Sequence, residues 1–464
     1  MNPFQLRTLA IALTAGLVVL SPGAAAQDDV SQLRQQIDEL DRKVRALQRQ
    51  QELVGEAAAT KLTQAPSIFA GQEGFHLKSG DRAFSLRLGA VVQADSRWYA
   101  DQGLPSGAAP DNFLVRKARP ILEALMAEKF LLRIMPDFGS GATAANGQSV
   151  QEAYLEARLD PAFNIRAGKF KSPVGLERLQ LDAENEFIER ALPTNLVPNR
   201  DVGVQIAGFV LSNKVSYQFG IFDGVYDNGL ADGDNDSAKD VVARVFVEPF
   251  RNSDSVLKGL GFGVSGSTGR HQGSPTTADL PQFKTMGQQN FFTYASGAYA
   301  DGTQNRLSPQ LYFYVGPYGF LGEYISSRQK ISRATSLKTD IDNRAWQLAG
   351  YWVITGENAS YHGIPVPSKP FSLSDGRWGA FELAVRFSKQ RNDGRAFAET
   401  SATQLASPSQ SAREAREIGV GLNCYLNRNV KMQINYEETH FEGGTVNGDR
   451  PTEKAILTRF QIAI

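Results

Sequence analysis

Cysteine is all but missing from this 464-residue sequence: Cys424 stands alone, so no disulfide can form within the chain. A secreted chain of this length needs no such staples if it builds a large fold. Histidine is scarce too. There are four, none in a ligand-like cluster with the cysteine, which argues against a structural zinc site. Net charge is absent as well. Lys plus Arg and Asp plus Glu each number 49, which argues against a generally basic surface for nucleic acid. No internal apolar run approaches the roughly 18 residues that suggest a membrane helix. If the chain crosses a bilayer, it does so as a closed barrel, the other way to satisfy backbone polar groups in lipid.

What is present begins with a leader. Arg7, the apolar stretch Leu9–Leu20 and the small residues Ala24-Ala25-Ala26 have the layout of a secretory signal peptide over 1–26, with an uncleaved anchor as the alternative. A heptad follows. Val30, Ile37 and Val44 recur every seven residues, with Leu33, Leu40 and Leu47 between them. This predicts a short coiled-coil helix over 27–54, a lone amphipathic helix being the plainer alternative. Residues 55–75, rich in Ala, Gly and Gln, read as a linker, and a barrel is expected over 76–464.

From Phe84 onward the period becomes two. Phe84, Leu86, Leu88, Ala90 and Val92 alternate with residues that include Ser85, Arg87 and Gln93. Similar segments lie near Leu114–Ala124, Phe130–Phe138, Ala153–Leu159, Phe163–Phe170, Val202–Val210, Val215–Phe222 and Val241–Val247. Others are Gly259–Gly269, Leu311–Val315, Leu321–Ser326, Trp346–Thr355, Gly379–Ser388, Ile418–Leu426, Lys431–Glu437 and Ala455–Ile464. The total is sixteen, an even number as bacterial single-chain barrels have, with Phe291–Ala298 left in a loop. Junctions after even segments are mostly tight, such as Ser212-Asn213. Those after odd segments are mostly long, such as Lys171–Asp201 and Arg270–Ser308. That asymmetry is expected of an outer-membrane barrel. Even parity puts both barrel ends on the periplasmic side, with the helix in water there.

Charged side chains on the second face argue for a wet interior: Arg87, Asp95 and Arg97 on the first segment, Arg133 and Asp137 on the third, Lys431 and Glu437 on the fifteenth. Burying each unpaired costs several kcal/mol. Tyr312, Tyr314, Tyr318, Tyr351 and Trp352 fit interfacial girdles, or simply high strand propensity. The expected fold is therefore an all-β transmembrane barrel of about 16 antiparallel strands, preceded by a short N-terminal coiled-coil helix.

Several words in the sequence resemble the phosphate-selective porin O/P family. They are Tyr351-Trp-Val-Ile-Thr-Gly-Glu357, Ser368-Lys-Pro370 and Gly379-Ala-Phe-Glu-Leu-Ala-Val-Arg-Phe387, with Phe84-Ser-Leu-Arg-Leu-Gly89, Ala167-Gly-Lys-Phe170 and Gly175-Leu-Glu-Arg178. The resemblance runs from about 75 to 464 in matching order. It implies a homotrimeric channel in the outer membrane of a Gram-negative bacterium, bathed in outer-membrane lipids and passing inorganic anions such as phosphate. It also implies that Arg178, in a long third loop, stands at a family lysine, that Arg116 and Lys117 match family cations, and that His362 and Lys369 fall on connector positions. A guanidinium at Arg178 can grip phosphate with two bonds. Two departures bear on selectivity. The Arg270–Ser308 stretch holds only Arg270, His271, Lys284 and Arg306 where the family is arginine-rich, and a family arginine falls at Val91. The sequence also ends in Ile464, where such barrels usually carry Phe.

Rings of Arg or Lys lower the barrier for anions in a pore. The candidate pore residues are Arg87, Arg116, Lys117, Arg133, Lys169, Arg178, His362, Lys369 and Arg386, each with pairing to a carboxylate as its alternative. Glu382 with Arg386, and Arg133 with Asp137, are the expected pairs. Asp232-Gly-Asp-Asn-Asp236 resembles part of a calcium loop but has no twelfth-position Glu, so a solvated acidic loop is expected and no metal or other cofactor. No Gly-x-Ser-x-Gly elbow supports an outer-membrane hydrolase, and no catalytic residues are expected. Channels for dicarboxylates or sugars remain the nearer alternative.

Overall fold

A computed structural model describes residues 25–100, 110–140, 149–230, 236–333, 337–397 and 403–464. The chain divides into two units, one ending at Ala65 and one running from Pro66 to Ile464. In the first, helix α1 spans Ala25–Gln64, and its residues 32–56 are exposed on every face. It is longer than the 27–54 expected and takes in the first part of the expected linker. Ala57-Ala58-Ala59, strong helix formers, carry it past Gly55. Residues 1–24 of the expected signal peptide lie outside the described residues.

In the second unit, alternation of apolar and polar side chains is used sixteen times. The strands are β1 Phe84–Tyr99, β2 Asn112–Met126, β3 Phe130–Asp137, β4 Ser149–Asp160, β5 Phe163–Phe170, β6 Asp201–Val210, β7 Val215–Phe222 and β8 Asp240–Val247. They continue as β9 Leu260–Gln272, β10 Ala298–Val315, β11 Tyr318–Arg333, β12 Leu337–Val353, β13 Ala380–Arg391, β14 Ala412–Tyr425, β15 Val430–Thr445 and β16 Glu453–Ala463. Each pairs antiparallel with the next, and β16 pairs with β1 from Ala455↔Tyr99 to Ala463↔Val91, which closes the barrel. Strand β13 shows the division of faces: Arg386, pointing inward, is 1% exposed and its neighbour Phe387, pointing outward, 49%.

The segment Phe291–Ala298, expected in a loop, contributes only a short strand, Asn290–Thr293, which pairs with Gln282–Lys284 outside the barrel ladder. Parity is untouched. Four expected loops are shorter than read: β9 runs on to Gln272 and β10 starts at Ala298, β11 and β12 run on to Arg333 and from Leu337, β13 runs on to Arg391 and β14 starts at Ala412, and β15 runs on to Thr445. Polar residues with high strand tolerance extend these hairpins past the apolar band.

Residues 67–78, read as linker as far as residue 75, form a hairpin of Ser67–Gly71 and Gly74–Lys78. Its second strand pairs with Ser85–Leu88 of β1, below the point where Ile464 pairs with Ala90. The first residues of β1 would otherwise present an open edge in the wall, and unpaired edges are what barrels exist to avoid.

The interior is not uniformly polar. Segment 171–200, between β5 and β6, folds inward and buries Leu192, Leu196 and Val197. These pack with Phe170 and Phe222 at the strand ends and with Phe283, Phe291 and Phe292 of the 273–297 loop. Buried charges line the lumen on many strands, from Arg119 and Asp137 to Arg386, Glu437 and Arg459.

Candidate functional site

The site begins with a break in alternation. Gln93 of β1 faces Lys117 of β2, but Ala94 faces Val115, so Arg116 is an extra residue. Such a bulge re-aims side chains. Here it lets two consecutive cations, Arg116 and Lys117, line the same cavity. Gly139 leaves room for it: a Cβ there would lie 2.7 Å from the Arg116 carbonyl oxygen and from the Lys117 Cα. Opposite this wall comes segment 171–200. Gly175, at φ +83°, takes a left-handed turn that a side chain would strain, and the single turn Glu177–Leu179 then presents Arg178.

The cavity has a volume of about 430 Å3. Eight cationic side chains line it: Arg97, Arg116, Lys117, Arg119, Arg178, Arg190, Arg200 and Lys284. Among the described residues, two carboxylates do so, Asp182 and Glu189. Asp182 receives Lys117 at 3.2 Å, Arg190 at 2.6 Å, Arg200 at 3.4 Å, and Arg119. Glu189 takes Arg116 through two bonds, 2.6 and 3.1 Å, and Arg97 at 3.0 Å. Arg178 differs. Its Nη2 donates to the Thr194 carbonyl and to Asn228 Oδ1, both at 2.7 Å, and its buried Nε has no acceptor. Among the described residues it meets no carboxylate at ion-pair distance. Among the described residues, the balance of charge around the cavity is positive.

The sequence model of the family described as phosphate-selective porin O and P matches residues 87–464. The chain belongs to that family. No curated protein matches its sequence. Among solved structures, the porin resembles the outer membrane channel DcaP of Acinetobacter baumannii, at 12% identity and a TM-score of 0.53, over 85% of this chain and all of that one. It also resembles outer-membrane expressed OmpT of Vibrio cholerae, at 9% identity and a TM-score of 0.51, over 82% of this chain and 98% of that one. At such identities the likeness is one of fold. Family and fold are those of an outer-membrane channel.

Of the nine candidates read from the porin's sequence, Arg116, Lys117 and Arg178 come together at the cavity. Arg87 and Arg133 do not. Both bind Glu123, Arg87 at 2.8 Å, and Arg133 also reaches Glu152 at 2.9 Å. Lys169 is buried on β5, away from the cavity lining. Arg386 is held by Glu177 at 2.9 Å and lies 4.0 Å from the Phe187 ring centroid. His362 and Lys369 sit on the connector between β12 and β13, outside the cavity lining. The protein around the His362 imidazole lowers its pKa by desolvation, so it stays uncharged near neutral pH.

Both expected same-strand pairs are corrected. Asp137 binds Arg119 at 2.7 Å, not Arg133, and Glu382 accepts from Tyr425 at 2.6 Å and Asn423 at 3.0 Å, not from Arg386. Residues four apart in a strand are about 13 Å apart, whereas cross-strand neighbours are about 5 Å apart. Arg97, Arg119, Arg190, Arg200 and Lys284 were not among the candidates, although Arg97 was read as an interior charge. Arg119 had a signal, since it shares the face of Lys117 two residues away; Arg190, Arg200 and Lys284 need the loop fold. Arg306, read as a loop cation, is a β10 residue bound to Asp227 at 2.7 Å and Asp240 at 3.1 Å. The calcium-like run lies outside the described residues except for Asp236, which accepts from the Ala238 and Gln272 amides.

Proposed function

We propose that this porin is a passive channel for small hydrophilic solutes that favours anions, phosphate among them, with Arg116, Lys117 and Arg178 at its selective point. The observation that carries the reading is the ratio of eight cations to two carboxylates around one cavity among the described residues. Fixed positive charge lowers the barrier for anions, and the partners already present on most of these cations keep binding weak enough for release. Copies associate as a homotrimer in this reading, with a cleaved leader before residue 27 and helix α1 in the periplasm. Exposed Leu33, Ile37, Leu40, Val44 and Leu47 on α1 support association of copies.

Recording in a planar bilayer under a KCl gradient tests this. Stepwise conductance with a reversal potential on the anion side is expected, and no conductance or a cation bias would sink it. Arg178→Glu is expected to move the reversal potential toward cation preference. An unchanged value removes Arg178 from the filter.

A further inference from the structure

The outer surface of the barrel changes character along β12 and β13. On β12, Leu348 and Trp346 point outward and are exposed, and the next outward residue is Arg344. On β13, Val385 and Phe387 do the same, followed by Lys389 and Arg391. The apolar belt thus gives way to cations on both strands, toward the long-loop end. A tryptophan at such a border sits at the level of lipid headgroups.

Register brings two of these cations together. Arg344 pairs directly with Arg391. Their side chains share one face, with Cβ atoms about 5 Å apart, and like charges so placed are destabilising. Arg344 is compensated, since it gives Asp342 two bonds, at 2.5 and 2.9 Å. Arg395, in the loop after β13, is held by Asp393 at 2.5 Å. Arg391 meets no carboxylate at ion-pair distance among the described residues. Its partner across the other strand pair, Glu414, is taken by Lys389 at 2.9 Å and by Arg416. Arg391 is also exposed, so a group beside the wall can reach it.

One small cavity of about 270 Å3 gathers Arg344, Arg391 and Arg395 with Asp342 and Asp393. Each aspartate is spent on one arginine, which leaves a positive charge at Arg391 among the described residues. An anion that bridges Arg344 and Arg391 removes the cross-strand repulsion. Phosphate oxygens suit this, because a guanidinium fork binds them through two parallel bonds. The location decides the source. A free anion is held weakly at an exposed site, where an ion pair contributes about 0–1 kcal/mol. A phosphate carried on a lipid is already at this level, and its chains gain contact with exposed Trp346, Leu348 and Phe387 below it.

We propose that Arg344 and Arg391 bind the phosphate of a phosphorylated lipid headgroup in the outer leaflet, its acyl chains lying along the outer faces of β12 and β13. This rests on the reading that puts helix α1 in the periplasm and the long-loop end away from it.

The test uses full-length protein in detergent, with EDTA present so that divalent cations bridge nothing. It is titrated with diphosphorylated lipid A, or with the same lipid after both phosphates are removed, and bound lipid is read by native mass spectrometry. Half-saturation by the phosphorylated lipid is expected at a concentration about tenfold lower, a difference of about 1.4 kcal/mol. Arg391→Ala is expected to remove most of that preference in a barrel with the parental heat-induced gel shift. Lys330→Ala, which removes an outward cation of β11 outside this cavity, is expected to keep it. Equal binding of the two lipids overturns the proposal, as does an Arg391→Ala protein that keeps the full preference or a Lys330→Ala protein that loses it. Inorganic phosphate that displaces the lipid at matched concentration makes the site one for a free anion and overturns the lipid source. Orientation is read separately, by labelling Gln410→Cys on intact cells with a membrane-impermeant maleimide. Absence of that label brings down the outward placement of this end, and the outer-leaflet source with it, while the channel reading stands or falls on conductance.

Discussion

Asp182 is the single residue on which most of the site's charge converges. Removing one partner of a buried ion pair costs about 3–5 kcal/mol, because the remaining charge is left without compensation. Arg119 and Arg200 would keep Asp137 and Glu152, but Lys117 and Arg190 would keep no carboxylate among the described residues. Asp182→Asn is therefore expected to destabilise the barrel by roughly 3 kcal/mol, seen as a lower temperature for the heat-induced gel shift. The surviving channels are expected to be more anion-selective than the parent, since a negative charge has left the cavity. A stable but less selective variant would contradict the assignment. The convergence on Asp182 was not legible in the sequence. Lys117 and Arg119 are visibly on one strand face, but Arg190 and Arg200 reach the same carboxylate only through the course of segment 171–200, which no periodicity encodes.

At the level of elements, the bulge in β2 and helix α1 make contrasting cases. The bulge is invisible to a period-two reading, because one extra residue looks like a lapse in pattern. Its consequence is nonetheless sharp. Gly139→Val would drive a side chain into the Arg116 carbonyl and the Lys117 backbone. Loss of anion bias in bilayer recordings is expected, along with a lower gel-shift temperature. A Gly139→Val channel with parental selectivity would mean the bulge does not aim those two cations. The helix was legible from its heptads, although its end was not, since the Ala, Gly and Gln content of 55–75 reads as linker. Its apolar stripe is exposed along the described length. Leu40→Asp is expected to abolish crosslinking between copies at the helix while sparing the barrel's own gel shift. Undiminished crosslinking there would leave the lone-helix alternative standing. The sixteen strands were legible for a simpler reason: lipid outside and polar groups inside impose alternation on every one, so the signal repeats even where each copy is weak. Cross-strand partners were not, because they depend on register, and register is set by turns and bulges rather than by the face pattern.

Across the whole molecule, selection by fixed charge carries a dependence on salt. The screening length falls from about 10 Å at 0.1 M to about 3 Å at 1 M. The anion preference is expected to shrink as KCl is raised over that range, read as a reversal potential approaching zero at a constant gradient ratio. A preference that stays constant would point to a steric filter or direct coordination instead. The apolar cluster of Phe283, Phe291 and Phe292 was the least foreseeable large-scale feature. Those residues read as loop, and only the inward fold of 273–297 brings them against Leu196 and the strand ends. The hairpin at 67–78 has a different consequence. Asn429 donates to the Gln72 carbonyl at 2.6 Å, across 357 residues of chain. Contacts that distant are the slowest for a polypeptide to find. Closure of the hairpin against β1 is therefore expected among the late steps of assembly, together with the pairing of β16 and β1, and a chain that stalls before it would offer neighbouring molecules a sticky seam.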